Sequence, residues 1–220
     1  MKTFILSTTL IAITLFSCNS NNPKREVDKY KSYNDSMVEA SVEKRRLADL
    51  EEKKDDSIRT INNNKEIKKL LSFFNIKKDE FSSDDMQWVI PKNAPRHIDN
   101  NAIFCYFQIT NNKAFNFRLK IQYASDDWLF IQQYKFSIDG MVFDYIPDEI
   151  KRDNDSSIWE WSDQQIADID NSMINALGVA KKAKIRFIGQ QYHADRIITS
   201  TQLLSIKRTL KLYKLMGGSL

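Results

Sequence analysis

At 220 residues, with 42% apolar and 11% aromatic residues, the chain has the size and composition of one ordinary folded domain plus an appendage, which excludes disorder throughout. Its formal charge of +4 is too small to imply a nucleic-acid partner. Five glycines leave little material for a phosphate-cradling loop, and no Walker loop, dinucleotide fingerprint or Gly-x-Ser-x-Gly elbow occurs, so nucleotide enzymes are set aside.

At the N-terminus, Lys2 is followed by an apolar stretch from Phe4 to Phe16 interrupted only by Ser and Thr, the layout of a secretory signal. The stretch is shorter than the ~20 residues that span a bilayer, which argues against a retained membrane helix. It ends in Leu15-Phe16-Ser17-Cys18, and this run resembles the lipobox of the bacterial lipoprotein family. The resemblance implies that residues 1–17 are a signal peptide, that the Cys18 thiol receives a diacylglycerol, and that Cys18 becomes the first residue of a chain tethered to the cell envelope. In that family the residue after the acylated Cys influences sorting. Asn19 in place of Asp resembles the pattern that goes on to the outer membrane of two-membrane bacteria, facing the periplasm. The resemblance covers only the first two dozen residues. With Cys18 acylated, Cys105 is the only thiol left, so no intramolecular disulfide is expected. Within the apolar run Ile103-Phe104-Cys105-Tyr106-Phe107 it reads as a small buried hydrophobe.

Residues 18–23, with Asn19-Ser20-Asn21-Asn22-Pro23, are polar and helix-breaking, suited to a tether. Residues 24–61 then form a polar helical stalk, free of Gly and Pro and dense in charge. Such a helix extends ~50 Å at ~1.5 Å per residue, enough to hold a following domain off the membrane. Its apolar residues Val27, Tyr30, Met37, Val38, Val42, Leu47, Leu50, Ile58 and Ile61 fall only approximately three and four apart, and the gap after Leu50 breaks a heptad seam. Self-association through this thin stripe, as a coiled coil, is the functional alternative to a plain spacer. Asn62-Asn63-Asn64 is expected to interrupt the helix, and a second, shorter helix from Lys65 to Phe74 to dock Ile67, Leu70, Leu71 and Phe74 on the domain.

Beyond Asp85 the period changes from helical to two. Phe115, Phe117, Leu119, Ile121 and Tyr123 alternate with Asn116, Arg118, Lys120 and Gln122, the pattern of a strand with one buried face. Ile103 to Ile109, Trp128 to Ile138 and Met141 to Tyr145 also read as strands, with Thr110-Asn111-Asn112 and Asp139-Gly140 as hairpin turns. Ser157 to Trp161 reads as a further short strand. Ser162 with Gln165 spells a capping box, predicting a helix of about four turns through Ile166, Ile169, Met173, Ala176 and Leu177 to Gly178. Lys182 to Gly189 and Tyr192 to Ile198 then alternate as strands. A final helix capped by Thr199 and Gln202 carries Leu203, Ile206, Leu210 and Tyr213 inward before Gly217-Gly218 stops it. The expected fold is therefore an α+β domain over residues 65–220, an antiparallel β-sheet with two C-terminal helices, preceded by the long polar N-terminal helix.

Charge is unevenly spread, with roughly nine net negative charges from Asp126 to Asp170 and roughly eight net positive from Lys181 to Lys214. The two segments either face each other or are solvated separately. Alternatively, Lys181, Lys182, Lys184, Arg186, Lys207, Arg208, Lys211 and Lys214 build a basic face for anionic lipid or an acidic envelope polymer.

The two histidines, His97 and His193, have no partner at metal-ligand spacing, and no Cys cluster completes a zinc site, so neither a metal nor a cofactor is expected. Asp84-Asp85, Asp126-Asp127 and Asp153-Asn154-Asp155 read as Asx-rich turns, lacking the spacing of a calcium loop. His193 and Asp195 lie two apart and share a strand face, the one acid/base pair the sequence offers, with Tyr192 and Arg196 adding polar groups. Trp159 and Trp161 are also two apart. If exposed beside Glu160, Asp163 and Gln164 they can stack on a glycan; otherwise they close the edge of a core. The expectation is a lipid-anchored envelope protein that binds or scaffolds an envelope protein or glycan through Trp159 and Trp161 or through Lys207 and Lys211. A periplasmic hydrolase using His193 and Asp195 is the alternative.

Overall fold

The structure, a computed structural model, describes residues 23–78, 80 and 85–220. The expected signal peptide, Cys18 as the expected acylation site, the expected tether up to Asn22, and Asp84 lie outside the described residues. The chain divides into two compact units, Met1–Ile58 and Arg59–Leu220.

One helix, α1 (Pro23–Leu71), runs unbroken through Asn62, Asn63 and Asn64, where the sequence had suggested an interruption. Asn costs a helix only a few tenths of a kcal/mol more than an average residue, far less than Gly or Pro, so three in a row do not stop it. Between Lys24 and Ile58 every described side chain is exposed. A rotation of ~100° per residue sets Val27, Tyr30, Met37, Val38 and Val42 on one half of the helix and Leu47, Leu50, Ile58 and Ile61 on the other. The apolar stripe therefore changes sides near Lys44. Among the described residues no helix is long and apolar enough to cross a membrane.

In the second unit the last turns of α1 bury Leu70, and the chain then enters β1 (Phe74–Lys78), so that Phe74 begins a strand instead of ending a helix. There follow β2 (Gln87–Pro91), β3 (Ala102–Thr110), β4 (Lys113–Ser125), β5 (Gln133–Ile138), β6 (Met141–Tyr145), β7 (Lys151–Asn154) and β8 (Ile158–Gln165). A 3₁₀ turn (Asp168–Asp170), α2 (Asn171–Val179), β9 (Ala183–Ile188), β10 (His193–Ile198) and α3 (Ser200–Leu215) complete the chain. The fold is α+β with antiparallel pairing throughout, in two sheets: a six-stranded one ordered β1-β2-β3-β4-β8-β7 and a four-stranded one ordered β10-β9-β5-β6.

Both hairpin turns lie where the sequence put them, with positive φ at Asn111, Asn112, Asp139 and Gly140, as a two-residue turn between right-twisted strands requires. The α3 cap is also as expected: Gln202 N–H donates to Thr199 Oγ1 (3.2 Å) and Thr199 N–H donates to Gln202 Oε1 (2.9 Å). The other capping box is overturned. Ser162 and Gln165 belong to β8, Ser162 is buried opposite Ile121, and the expected four-turn helix shrinks to the 3₁₀ turn plus α2. Ile169, assigned to its apolar stripe, is 87% exposed. Period-two alternation from Ile158 to Asp163, paired residue by residue with β4, outweighs a local capping signal worth ~1 kcal/mol.

The inner face of the six-stranded sheet is covered by α3 at one end, where Tyr213 meets the rings of Phe107 and Phe117 edge-on at 5.4 and 4.9 Å. The four-stranded sheet also joins this core, with the Tyr123 and Phe187 rings 5.0 Å apart. Cys105 is wholly buried in it, and burial pushes its thiol well above the ordinary range, which suits an inert packing residue. Helices α2 and α3 approach closely at Gly178, where an added Cβ would fall 2.5 Å from Leu210 Cδ2.

Candidate binding face on the six-stranded sheet

Strand alternation decides which side chains reach the outer face of the six-stranded sheet. Asn75 and Lys77 of β1 lie opposite Ile90 and Trp88 of β2. Phe104 of β3, Lys120 of β4 and Asp163 of β8 form one cross-strand row, and Tyr106 lies opposite Arg118 in the next. Trp161, opposite Gln122, and Trp159, opposite Ala124, continue the face along β8. Both indoles are half-buried, and the Trp159 N–H is buried without an acceptor. Glu160, expected beside them, points to the other side of the sheet, because residues one apart on a strand face opposite ways.

At the centre of this face is a polar cluster. Tyr106 Oη donates to Asp163 Oδ1 (2.6 Å), Arg118 Nε donates to Tyr106 Oη (3.0 Å) and Asp163 Oδ1 (3.1 Å), and Arg118 Nη2 donates to the Asp163 carbonyl (2.7 Å). Lys120 Nζ lies 3.4 Å from Asp163 Oδ2. Arg118, Lys120 and Asp163 keep 23–24% of their side-chain surface exposed, so two cations share one carboxylate in a half-desolvated setting. Burial, then the Asp163 carboxylate, pushes the Tyr106 phenol well above its usual range, so it stays a neutral donor.

Beside the cluster opens a cleft of about 590 Å³, lined by Lys77, Arg96, Lys120, Tyr106 and Phe104, with Asn75, Ile90 and the turn carrying Pro91, Ala94 and Pro95 as walls. A second cavity of about 450 Å³ lies between the sheets, where Asp195 and Arg196 contribute opposite charges. The 590 Å³ cleft is lined by three cations and, among the described residues, by no carboxylate.

On the inner side of β8, Glu160 is fully buried and fully engaged. Its Oε1 accepts the Leu129 and Phe130 N–H groups (2.9 Å each), and its Oε2 accepts the Ile131 N–H (2.7 Å) and Arg152 Nε (2.8 Å). The segment 128–132, expected as part of a strand, instead wraps this carboxylate, with Phe130 at φ +52°, and β5 starts only at Gln133. Having no free lone pair, Glu160 is a fastener for the loop and not an acid or base.

The remaining expected residues lie elsewhere. His193 and Asp195 sit exposed on β10, but both Asp195 oxygens accept from Arg186, at 2.6 and 2.7 Å, and that pairing holds its carboxyl below the usual range. Lys207 and Lys211 are exposed on α3, which packs on the inner side of the six-stranded sheet, and Lys211 pairs with Glu66. They share no face with Trp159 and Trp161. The basic segment is likewise divided: Lys184 and Arg186 are on β9, Lys214 Nζ donates to Asn175 Oδ1 (2.7 Å), and the Arg208 guanidinium lies 3.7 Å over the Phe73 ring. The acidic and basic segments adjoin through the pairing of β5 with β9, and at its end Asp139 accepts the Lys181 and Lys182 N–H groups.

Sequence reasoning passed over Tyr106, Arg118, Lys120, Lys77 and Arg96. Arg118 and Lys120 were legible as the wet side of a strand, but only the register with β3 and β8 gathers them. No family model, curated protein or solved structure matches the chain.

Proposed function

We propose that this protein is a lipid-anchored component of the bacterial cell envelope whose α+β domain binds an envelope protein or glycan. The outer face of the six-stranded sheet carries the binding half of the proposal. There Trp88, Tyr106 and Trp161 are half-exposed beside Arg118 and Lys120, and a cleft of about 590 Å³ adjoins them, within the size range of small-ligand sites. Aromatic rings next to fixed polar groups recognise sugars and peptide side chains through their apolar faces while the polar groups set orientation. The anchor half rests on Leu15-Phe16-Ser17-Cys18, and the exposed polar helix from Lys24 to Ile58 supports it, since a spacer needs solubility and length without a buried face.

A hydrolase built on His193 and Asp195 is less well supported. A general base needs its orienting carboxylate within hydrogen-bond reach, whereas Asp195 gives both oxygens to Arg186 on an exposed strand. Self-association through α1 would have to use two half-length apolar patches on opposite sides of the helix, which disfavours a continuous two-stranded seam.

The anchor is tested by feeding cells a clickable palmitate analogue, comparing wild type with Cys18→Ala, and separating inner from outer membrane. Label that disappears in the variant, on a protein found in the outer membrane, is the expected result. Equal labelling of both proteins, or none of either, rejects the anchor.

A further inference from the structure

The 590 Å³ cleft has a charge composition that narrows its ligand. Lys77 and Arg96 are exposed and make no ion pair with any described residue, while Lys120 and Arg118 share the single carboxylate of Asp163. The concavity thus carries an excess of positive charge, part of it half-desolvated, and low-dielectric walls focus such a field on whatever enters. Its floor is not polar. Tyr106 presents a half-exposed ring, backed by the buried Phe104 ring 6.0 Å away and continued by the half-exposed Trp88 5.3 Å away, and Ile90, Pro91, Ala94 and Pro95 enclose the side. Asn75 supplies a hydrogen-bonding side chain at the margin.

From this combination we infer that the cleft between Lys77, Arg96 and Lys120 binds an anionic glycan, with the acid group held by the cations and the sugar ring laid on the half-exposed ring of Tyr106. Flat apolar rings match the C–H faces of a pyranose, and a carboxylate or phosphate borne by the sugar matches the cations. An anionic bilayer is the poorer fit, because the three cations line a concavity walled by Pro91, Ala94 and Pro95 and are not spread over a surface that lipid headgroups reach together. The inference deepens the proposed envelope-binding function by naming the ligand class. It does not depend on acylation of Cys18.

The test uses the full chain in detergent, titrated calorimetrically with hexagalacturonate, with maltohexaose as the neutral counterpart, with inorganic phosphate, and with phosphatidylglycerol vesicles. Hexagalacturonate should bind, with affinity falling as salt rises, and maltohexaose should bind at least about tenfold more weakly. Lys77→Gln/Arg96→Gln should lose about tenfold in affinity for hexagalacturonate without a change in melting temperature, and a charge-matched Lys31→Gln/Lys113→Gln control should lose none. Competition by millimolar phosphate would assign the anion contact to phosphate-bearing as well as carboxylate-bearing sugars, and still supports the inference. Equal binding of maltohexaose and hexagalacturonate, insensitive to Lys77 and Arg96, overturns it while leaving a glycan-binding module standing. Binding to the vesicles alone, or to none of the four probes, overturns it as well.

Discussion

Glu160 and Asp163 lie three residues apart on β8 and on opposite sides of the same sheet, and their surroundings differ in kind. Glu160 is 0% exposed and spends every acceptor on three backbone N–H groups and one guanidinium. Asp163 keeps a quarter of its surface and serves Arg118, Lys120 and the Tyr106 phenol, of which Lys120 and Tyr106 also border a cleft. The inner carboxylate is closed chemistry: it fixes the loop 128–132, and through it the contact with Gly189, whose N–H also takes part in a turn to Tyr192. The outer one sits in open chemistry, where the cations outnumber the carboxylates. Saturation of hydrogen-bonding capacity, more than residue type, thus separates what holds this fold from what is left to meet a ligand.

The largest effect is expected from Glu160→Ala, which leaves the Leu129, Phe130 and Ile131 N–H groups without their acceptor and unties Arg152 from the loop. Urea unfolding should show a loss of about 3–5 kcal/mol, and a loss below ~1 kcal/mol would break the contrast. Gly189→Ala attacks the same loop from the other side. Its added Cβ would stand 2.0 Å from the Leu129 carbonyl oxygen, so the backbone must shift, at about 1–3 kcal/mol by the same assay. Asp163→Asn should cost less than Glu160→Ala, about 1–2 kcal/mol, because Arg118 and Lys120 can turn to water. If the two carboxylates cost the same, the two faces do not differ as described.

The smallest effect sharpens the rule. Asp139 is exposed yet engaged, accepting the Lys181 and Lys182 N–H groups at 3.0 and 2.9 Å, and these bonds hold its carboxyl below the ordinary value. A carboxyl depressed in the folded state stabilises it above the unfolded pKa of about 4 and loses that contribution as pH falls through the lower folded value. Urea midpoints of wild type should therefore drop as pH falls below about 4, and Asp139→Asn should show a shallower drop. An unchanged slope would mean that the turn contacts do not stabilise the fold.

Much of the architecture was legible in the sequence, where one local signal dominated. The Thr199 and Gln202 cap with the Leu203, Ile206, Leu210 and Tyr213 stripe gave α3, and the Asn111-Asn112 and Asp139-Gly140 pairs gave the hairpins. Failures fell where local and long-range signals competed. Ser162 and Gln165 spell a cap but are claimed by pairing with β4, and Leu129 and Ile131 look like strand residues but are claimed by Glu160. Strands β1, β2 and β7 are too short, and β7 too polar, to announce themselves without neighbours. The binding face was half legible: period two put Trp159 and Trp161 on one side, but nothing in a single strand tells that Arg118, Lys120 and Tyr106 arrive beside them from β4 and β3.

The four tryptophan indole N–H resonances report on both sides of the sheet at once. Trp88 lies on the outer face beside Tyr106, whereas Trp128 lies in the loop fastened by Glu160, stacked on Phe130. On titration with hexagalacturonate the Trp88 indole should shift in a saturable way and the Trp128 indole should stay still. A shift of Trp128 with Trp88 unmoved, or no shift at any indole, would contradict the assignment of binding to the outer face.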